Sequence, residues 1–163
     1  MISVKTTVKE IKKQAQGLDD LANATKYLQS HMAMVGVPQE SNSTNGSGNI
    51  TNAELLFIHD HGSPKRGIPA RPVLEPAIDG VQDQISEMLM EAMKAALDGS
   101  EGGAASALEK AGQYGENAAK AYFTGANGWT PLKEATIKEK GSSQPLIDTG
   151  SMRSSITHVI EEI

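Results

Sequence analysis

"PAIDGVQDQISEMLMEAMKAAL", residues 76–97, carries the clearest helical pattern in the chain. Ile78, Val81, Ile85, Leu89, Met93 and Ala96 recur at helical spacing and form one apolar stripe. Pro76 suits the first helical position, where its missing N–H costs nothing. A helix over 76–97 is therefore the anchor of the fold, with its Ile78/Val81/Ile85/Leu89 face turned to a core.

Reading toward the C-terminus, "DGSEGG" (98–103) breaks the pattern, and a second helix over about 104–123 follows. It places Ala104, Ala107, Leu108, Ala111, Tyr114, Ala118 and Tyr122 on one face, small enough to let a neighbouring helix come close. "TGANG" (124–128) ends it. "WTPLKEATIKEKG" then predicts a third helix, with Thr130 as N-cap, Pro131 at N1, Glu134 paired with Lys138, and Gly141 after the end. "SITHVIEEI" (155–163) is β-branched and predicts a terminal strand.

Reading toward the N-terminus, "SPKRGIPARP" (63–72) holds three prolines and must be extended or turned. Before it, Thr51 and Glu54 spell a capping box that opens the helix "NAELLFIHDH", and Ile50 and Leu55 are placed for a hydrophobic staple. Gly62 suits a left-handed C-cap. "QESNSTNGSGN" (39–49) is almost wholly Ser, Asn and Gly and reads as a mobile polar loop. "HMAMVGVP" (31–38) predicts a strand stopped by Pro38. Residues 4–30 read as helix, with Ile11, Ala15, Leu18, Leu21 and Leu28 at helical spacing and a break possible at Gly17. Helices and strands are mixed without βαβ regularity. The expectation is one α+β domain over 1–163, with long amphipathic helices packed on a small antiparallel sheet of 31–38 and 155–163.

Composition narrows the function. The chain has 163 residues, 38% of them apolar, but only two Phe, three Tyr and one Trp. Such a chain is long enough for a core, yet one this poor in aromatics often completes its burial against partner subunits. Cysteine is absent, which excludes disulfides and thiolate metal sites. The first residues carry no apolar run of signal-peptide length, and no segment reaches 18 unbroken apolar residues. The expectation is a protein made in a cytoplasm and without membrane contact. A net charge of −5 argues against a generic nucleic-acid binder.

Four constellations invite a chemical reading. Asp148-Thr149-Gly150, within "PLIDTGSM", is spelled like the active-site strand of an aspartic protease. That chemistry needs two carboxylates sharing a proton, a strand-rich body and a supporting segment further on. Only 13 residues follow Gly150, and the elements before it are helices. Asp148 or Thr149 capping a short helix through Met152 and Arg153 is the better reading, with no catalytic residue. His59-Asp60-His61 offers metal-ligand types, but residues i and i+2 diverge on a helix and no third histidine lies near, so a polar helix end is preferred. Lys65, Arg66 and Arg71 form a small basic cluster suited to a local contact. Trp129 precedes the Thr130-Pro131 cap and reads as a packing anchor. No cofactor and no metal are expected.

Two longer stretches carry a resemblance. "NAELLFIHDHGSPKRGIPARPVLEPAI" is similar to the pattern A-x-x-x-x-x-H-x-x-G-(S/T)-P…I-P-A-R-P-F-L-x-P. "GWTPLKEATIKEKGSSQPLIDTGSMRSSITHVI" is similar to W-x-P-L-x-x-x-T-(I/L)-x-x-K-G…P-L-I-D-T-G-x-L. Val73 stands where an aromatic is common and Met152 where Leu is usual. Together, over roughly 50–160, these stretches resemble the neck, or tail-completion, proteins of long-tailed bacteriophages, a group similar to lambdoid minor tail protein Z and the Mu-type virion morphogenesis proteins. The resemblance implies a virion structural protein at the head–tail junction, without catalysis. It implies a ring, of six subunits, around a channel through which DNA passes without sequence-specific binding. Adjacent connector, terminator or stopper proteins would be its neighbours, and a terminator or stopper of the same region is the nearest alternative. His59, His61, Arg66, Pro69 and Arg71 are then candidate subunit contacts, Arg71 through a neighbour's carboxylate or carbonyl. Thr51, Glu54, Gly62, Trp129, Pro131, Asp148, Thr149 and Gly150 are structural members of the signature.

Overall fold

The computed structural model describes residues 4–44, 50–125, 127–147 and 150–163, with side chains described from Glu10 onward except Ile11. Asp148 and Thr149, the expected caps, lie outside the described residues, as do 45–49 of the polar loop. The element order is α1 (Val4–Ser30), β1 (His31–Gly36), α2 (Asn52–His61), α3 (Leu74–Asp79), α4 (Gln82–Leu97), α5 (Glu101–Tyr122), α6 (Glu134–Lys140), α7 (Ser151–Ser155) and β2 (Thr157–Glu162), with short 3-10 turns at Gln39–Ser41 and Pro64–Arg66. Strands β1 and β2 pair as a two-stranded antiparallel sheet, extended when Ile163 N–H donates to the Ser30 carbonyl at 2.8 Å. The fold is α+β, mostly helical.

Contacts divide the chain into two compact units. One comprises the segment ending at Ala33, Asp83–Ala111 and Ile160–Ile163; the other comprises Met34–Gln82 and Gly112–Val159. The first is held by alanine. Ala24 of α1, Ala96 of α4 and Ala104 of α5 are buried together, with Tyr27, Leu28 and Ala95 against them. The second has a core of Leu56, Val73, Ala77, Ala119, Phe123, Met152 and Ile156. There α5 presents Gly112 to β2 so closely that an added Cβ would lie 2.8 Å from the His158 ring.

Several expectations are corrected. The helix expected over 76–97 is two helices, α3 ending at Asp79 and α4 beginning at Gln82; Gly80 keeps a helical backbone (φ −64, ψ −16) and its N–H donates to the Pro76 carbonyl, while Val81 N–H donates one residue short, to the Ile78 carbonyl. Glycine is about 1 kcal/mol poorer than alanine inside a helix, and the break lets Ala77 and Ala96 serve different units. The expected face is only partly covered, with Ile78, Val81 and Ile85 half-buried. Leu89 is 40% and Met93 60% exposed, whereas Ala92 and Ala96 are buried. Alanine permits close approach of helix backbones, so the small residues take the inner face and the large ones point outward. Helix α1 runs through Gly17 without a break, and Ala15 and Leu18 are exposed while Ala24 is buried.

The helix after Trp129 begins at Glu134, not at Pro131, with Lys133 as N-cap and no side-chain cap. The carbonyl of Thr130, which a cap would give to its own helix, instead accepts from Arg71. Gly62 has φ 71 and ψ 176, outside the left-handed helical region. Its lack of a side chain matters because a Cβ there would lie 2.7 Å from Ala70 N and 2.9 Å from the Ile68 carbonyl.

Candidate functional site

Helix α2 opens as its sequence dictates. Thr51 Oγ1 accepts from Glu54 N–H at 3.3 Å, and Glu54 Oε2 accepts from Thr51 N–H at 2.9 Å. The Thr51 N–H, and then the Thr51 hydroxyl, which donates to Glu54 Oε2 at 2.9 Å, hold the Glu54 carboxyl below its ordinary range. Residues before the box are also tied down: Asn42 Oδ1 accepts from Ala53 N–H at 3.0 Å, and the Ser43 carbonyl accepts from Asn52 N–H at 3.0 Å. Asn52 itself is fully buried, and its Nδ2 donates to Ser43 Oγ at 3.0 Å and to Ser151 Oγ at 3.2 Å. Helix α2 thereby holds the start of α7, 99 residues away in sequence.

His59, Asp60 and His61 take three different roles. Asp60 Oδ1 accepts from Val73 N–H at 2.9 Å and so fixes the entry to α3. His61 is exposed, stacks on Phe57 at 4.2 Å, and its Nδ1 lies 3.1 Å from the Phe57 carbonyl, a polar helix end as expected. His59 departs from that expectation. It faces a cavity of about 410 Å³ with Arg71, Lys140 and Ser151 on its wall, and its buried Nδ1 has no hydrogen-bond partner among the described residues. Burial, then the charges of Arg71 and Lys140, push the His59 imidazole below its ordinary value, so it is held neutral there.

Arg71 is not at the surface. It is 5% exposed, and its Nε and Nη2 donate to the Thr130 carbonyl at 3.3 and 2.9 Å. The carbonyl that it was expected to find on a neighbour is supplied by its own chain. Trp129 is an anchor within the same junction: its Nε1 donates to the Pro72 carbonyl at 3.1 Å, and its ring meets Tyr122 and Phe123 edge-on at 5.7 and 6.2 Å. Pro131 is exposed beside it. Gly150, at φ 77, is the N-cap of α7, and its carbonyl accepts from Ser154 N–H at 2.9 Å. Of the remaining candidates, Arg66 is exposed on its 3-10 turn beside Phe57, which is 63% exposed, and Pro69 is half-buried.

Sequence reading missed one cluster altogether. Glu116 of α5 accepts from Lys120 Nζ at 2.7 Å, from Thr157 Oγ1 at 3.0 Å, from His158 N–H at 3.1 Å, and pairs with His158 Nδ1 at 2.6 Å. Burial pushes the Glu116 carboxyl up, and the hydrogen bonds from Lys120, His158 and Thr157 outweigh that effect and hold it at about 2. Partners 41 and 42 residues apart leave no local signal. The clasp fastens β2 to α5 and is a structural device.

Among the described residues no three His, Cys, Asp or Glu side chains are placed to hold a metal ion, and no helix is long and apolar enough to cross a membrane. Comparison with protein-family models, with curated proteins and with solved structures finds no match.

Proposed function

We propose that this chain is a structural protein of a bacteriophage virion, part of the neck that joins or completes the tail at the head. In this reading six copies close into a ring around the channel. DNA passes through without being read, and connector and tail-terminator proteins lie above and below. The protein is made in the bacterial host and acts in the particle without catalysis.

One observation carries the reading. The two stretches that resemble the neck family, separated by the whole of α4 and α5, are built into one another. Arg71 holds Thr130, Trp129 holds Pro72, and Asn52 holds Ser151. Leu56, Val73 and Ala77 from the first stretch share a core with Met152 and Ile156 from the second. Motifs matched by accident have no reason to interlock in this way. The acidic balance suits a wall along which DNA slides. Closure of a ring uses two different faces of each subunit, and His61, Arg66 and Pro69 remain the signature's own candidates for one of them.

The test is genetic and visual. Particles assembled without the protein should accumulate as free heads and free tails, and joining should return on complementation. Reconstruction of complete particles should place a ring of this chain at the neck. Normal joining in its absence, or a single copy placed away from the neck, overturns the proposal.

A further inference from the structure

The cavity beside His59 carries a charge that the fold does not balance. Arg71 lies on its wall at 5% exposure, and its Nε and Nη2 both donate to one neutral acceptor, the Thr130 carbonyl. Its backbone is held as well, with Arg71 N–H donating to the His59 carbonyl at 2.6 Å. Among the described residues Arg71 has no carboxylate partner, and its Nη1 has no acceptor. A guanidinium removed from water costs the fold unless an anion or further hydrogen bonds compensate it. Elsewhere in the same unit such burial is compensated: Glu116 meets Lys120, Thr157 and His158.

The rest of the wall favours a particular kind of anion. His59 Nδ1 is buried without a partner among the described residues, so a second hydrogen-bonding position is open in the field of Arg71. Lys140, whose Nζ also donates to the Gln144 carbonyl at 2.6 Å, adds positive charge, and Glu139 opposes it. Leu55, Leu132, Leu146 and Met152 make much of the remaining surface apolar. Thr136 and Glu139 are exposed, so the cavity opens to solvent. An apolar wall with a few convergent polar groups is how small-molecule sites are built. One opposing carboxylate and an apolar wall suit a singly charged ligand better than a phosphate dianion. The Nη1/Nη2 edge of a guanidinium matches the two oxygens of a carboxylate.

We propose that this cavity is a binding site for a small carboxylate with an apolar body. The carboxylate meets the Nη1/Nη2 edge of Arg71, His59 supplies a further hydrogen bond, and the apolar body lies against Leu132, Leu146 and Met152. The carboxylate arrives either on a free acid or on an Asp or Glu side chain of a second copy, and the experiment separates the two. The site is built within one unit and stands whether or not the chain belongs to a virion neck.

Sodium butyrate is titrated into the full chain at constant ionic strength, and the His59 imidazole resonances and the melting temperature are followed. Binding should saturate in the millimolar range and raise the melting temperature. The His59 titration should move upward, because an anion on Arg71 cancels one of the charges that lower it, while Lys140 and Glu139 stay as they are. Butanol, the uncharged analogue, should give no saturable shift. Arg71→Lys keeps the charge and loses the fork, so affinity should fall about tenfold. Thr136→Trp, at an exposed position on the wall, should block entry without touching the core. Asp148→Asn, two residues before Gly150, should leave binding unchanged. Sedimentation distinguishes the sources. Self-association that butyrate reverses assigns the carboxylate to a second copy; butyrate binding with no change in association assigns it to a free acid. A response that never saturates, an equal response to butanol, variants at Arg71 and Thr136 that bind like the parent, or binding seen only in Asp148→Asn overturns the proposal.

Discussion

The two units differ in what they bury. The second encloses Phe123, Ile156, Val73 and Met152, and crosses its junction with bonds from Arg71, Trp129, Asp60 and Asn52. The first encloses alanines and leaves Leu18, Met90, Met93 and Leu97 more than half exposed. A buried large side chain contributes about 1.5–3 kcal/mol and a buried alanine far less. The second unit is therefore packed around large side chains, with Phe57 left exposed, while the first is packed around alanine and leaves its large apolar residues exposed. An apolar face that is kept solvated is the usual mark of an interface.

That contrast can be broken at several points, from the largest effect down. Phe123→Ala should destabilise the chain by about 3–5 kcal/mol, read by denaturant unfolding, because it empties a fully buried aromatic site. A loss below 1 kcal/mol would show that the core lies elsewhere. Next comes acid. The Glu116 carboxyl is held at about 2 against an ordinary 4.5. A depressed carboxyl stabilises the fold fully above the unfolded value and loses that contribution as pH falls from 4.5 toward 2. The contribution is at most about 3 kcal/mol, less the screening that solvent gives Lys120, whose side chain is 29% exposed. Glu116→Gln should flatten the acid limb of the stability profile; an unchanged limb would remove the clasp from the account.

Arg71→Met should cost about 1–3 kcal/mol, since it leaves the Thr130 carbonyl without its donor. A variant as stable as the parent, but defective in assembly, would return Arg71 to the subunit surface. His59 gives a signal of the same sign in a higher pH window. Its imidazole is pushed below 6.5, so the unfolded chain takes up that proton first and stability falls as pH drops below about 6.5. His59→Phe should abolish that slope. Smallest of all, Met93→Ser should change the stability of dilute protein by no more than about 0.5 kcal/mol, although a larger loss is expected for a core residue.

Much of this architecture was legible in the sequence. The capping box of Thr51 and Glu54, the strand pair expected over 31–38 and 155–163 and found at 31–36 and 157–162, and the anchoring role of Trp129 each rest on local chemistry or on an amphipathic side chain with few uses. The α4 face was misread because periodicity weighs apolar size, and α4 packs by alanine: Ala92 and Ala96 lie inside, Leu89 and Met93 outside. Thr130 was misread because a buried arginine 59 residues earlier claims its carbonyl. The Glu116–His158 clasp and the cavity beside His59 join residues that no spacing relates.

Amide hydrogen exchange on the intact chain, followed at low and at high protein concentration, tests the contrast most directly. In dilute solution Leu56, Phe123 and Ile156 should exchange only through global unfolding, while residues 12–19 of α1 exchange freely. At high concentration protection should rise along the Leu89/Met90/Met93/Leu97 face of α4, with the second unit unchanged. Protection along α4 that is already complete in dilute solution, or that never responds to concentration, would contradict the reading of its exposed apolar face as an interface.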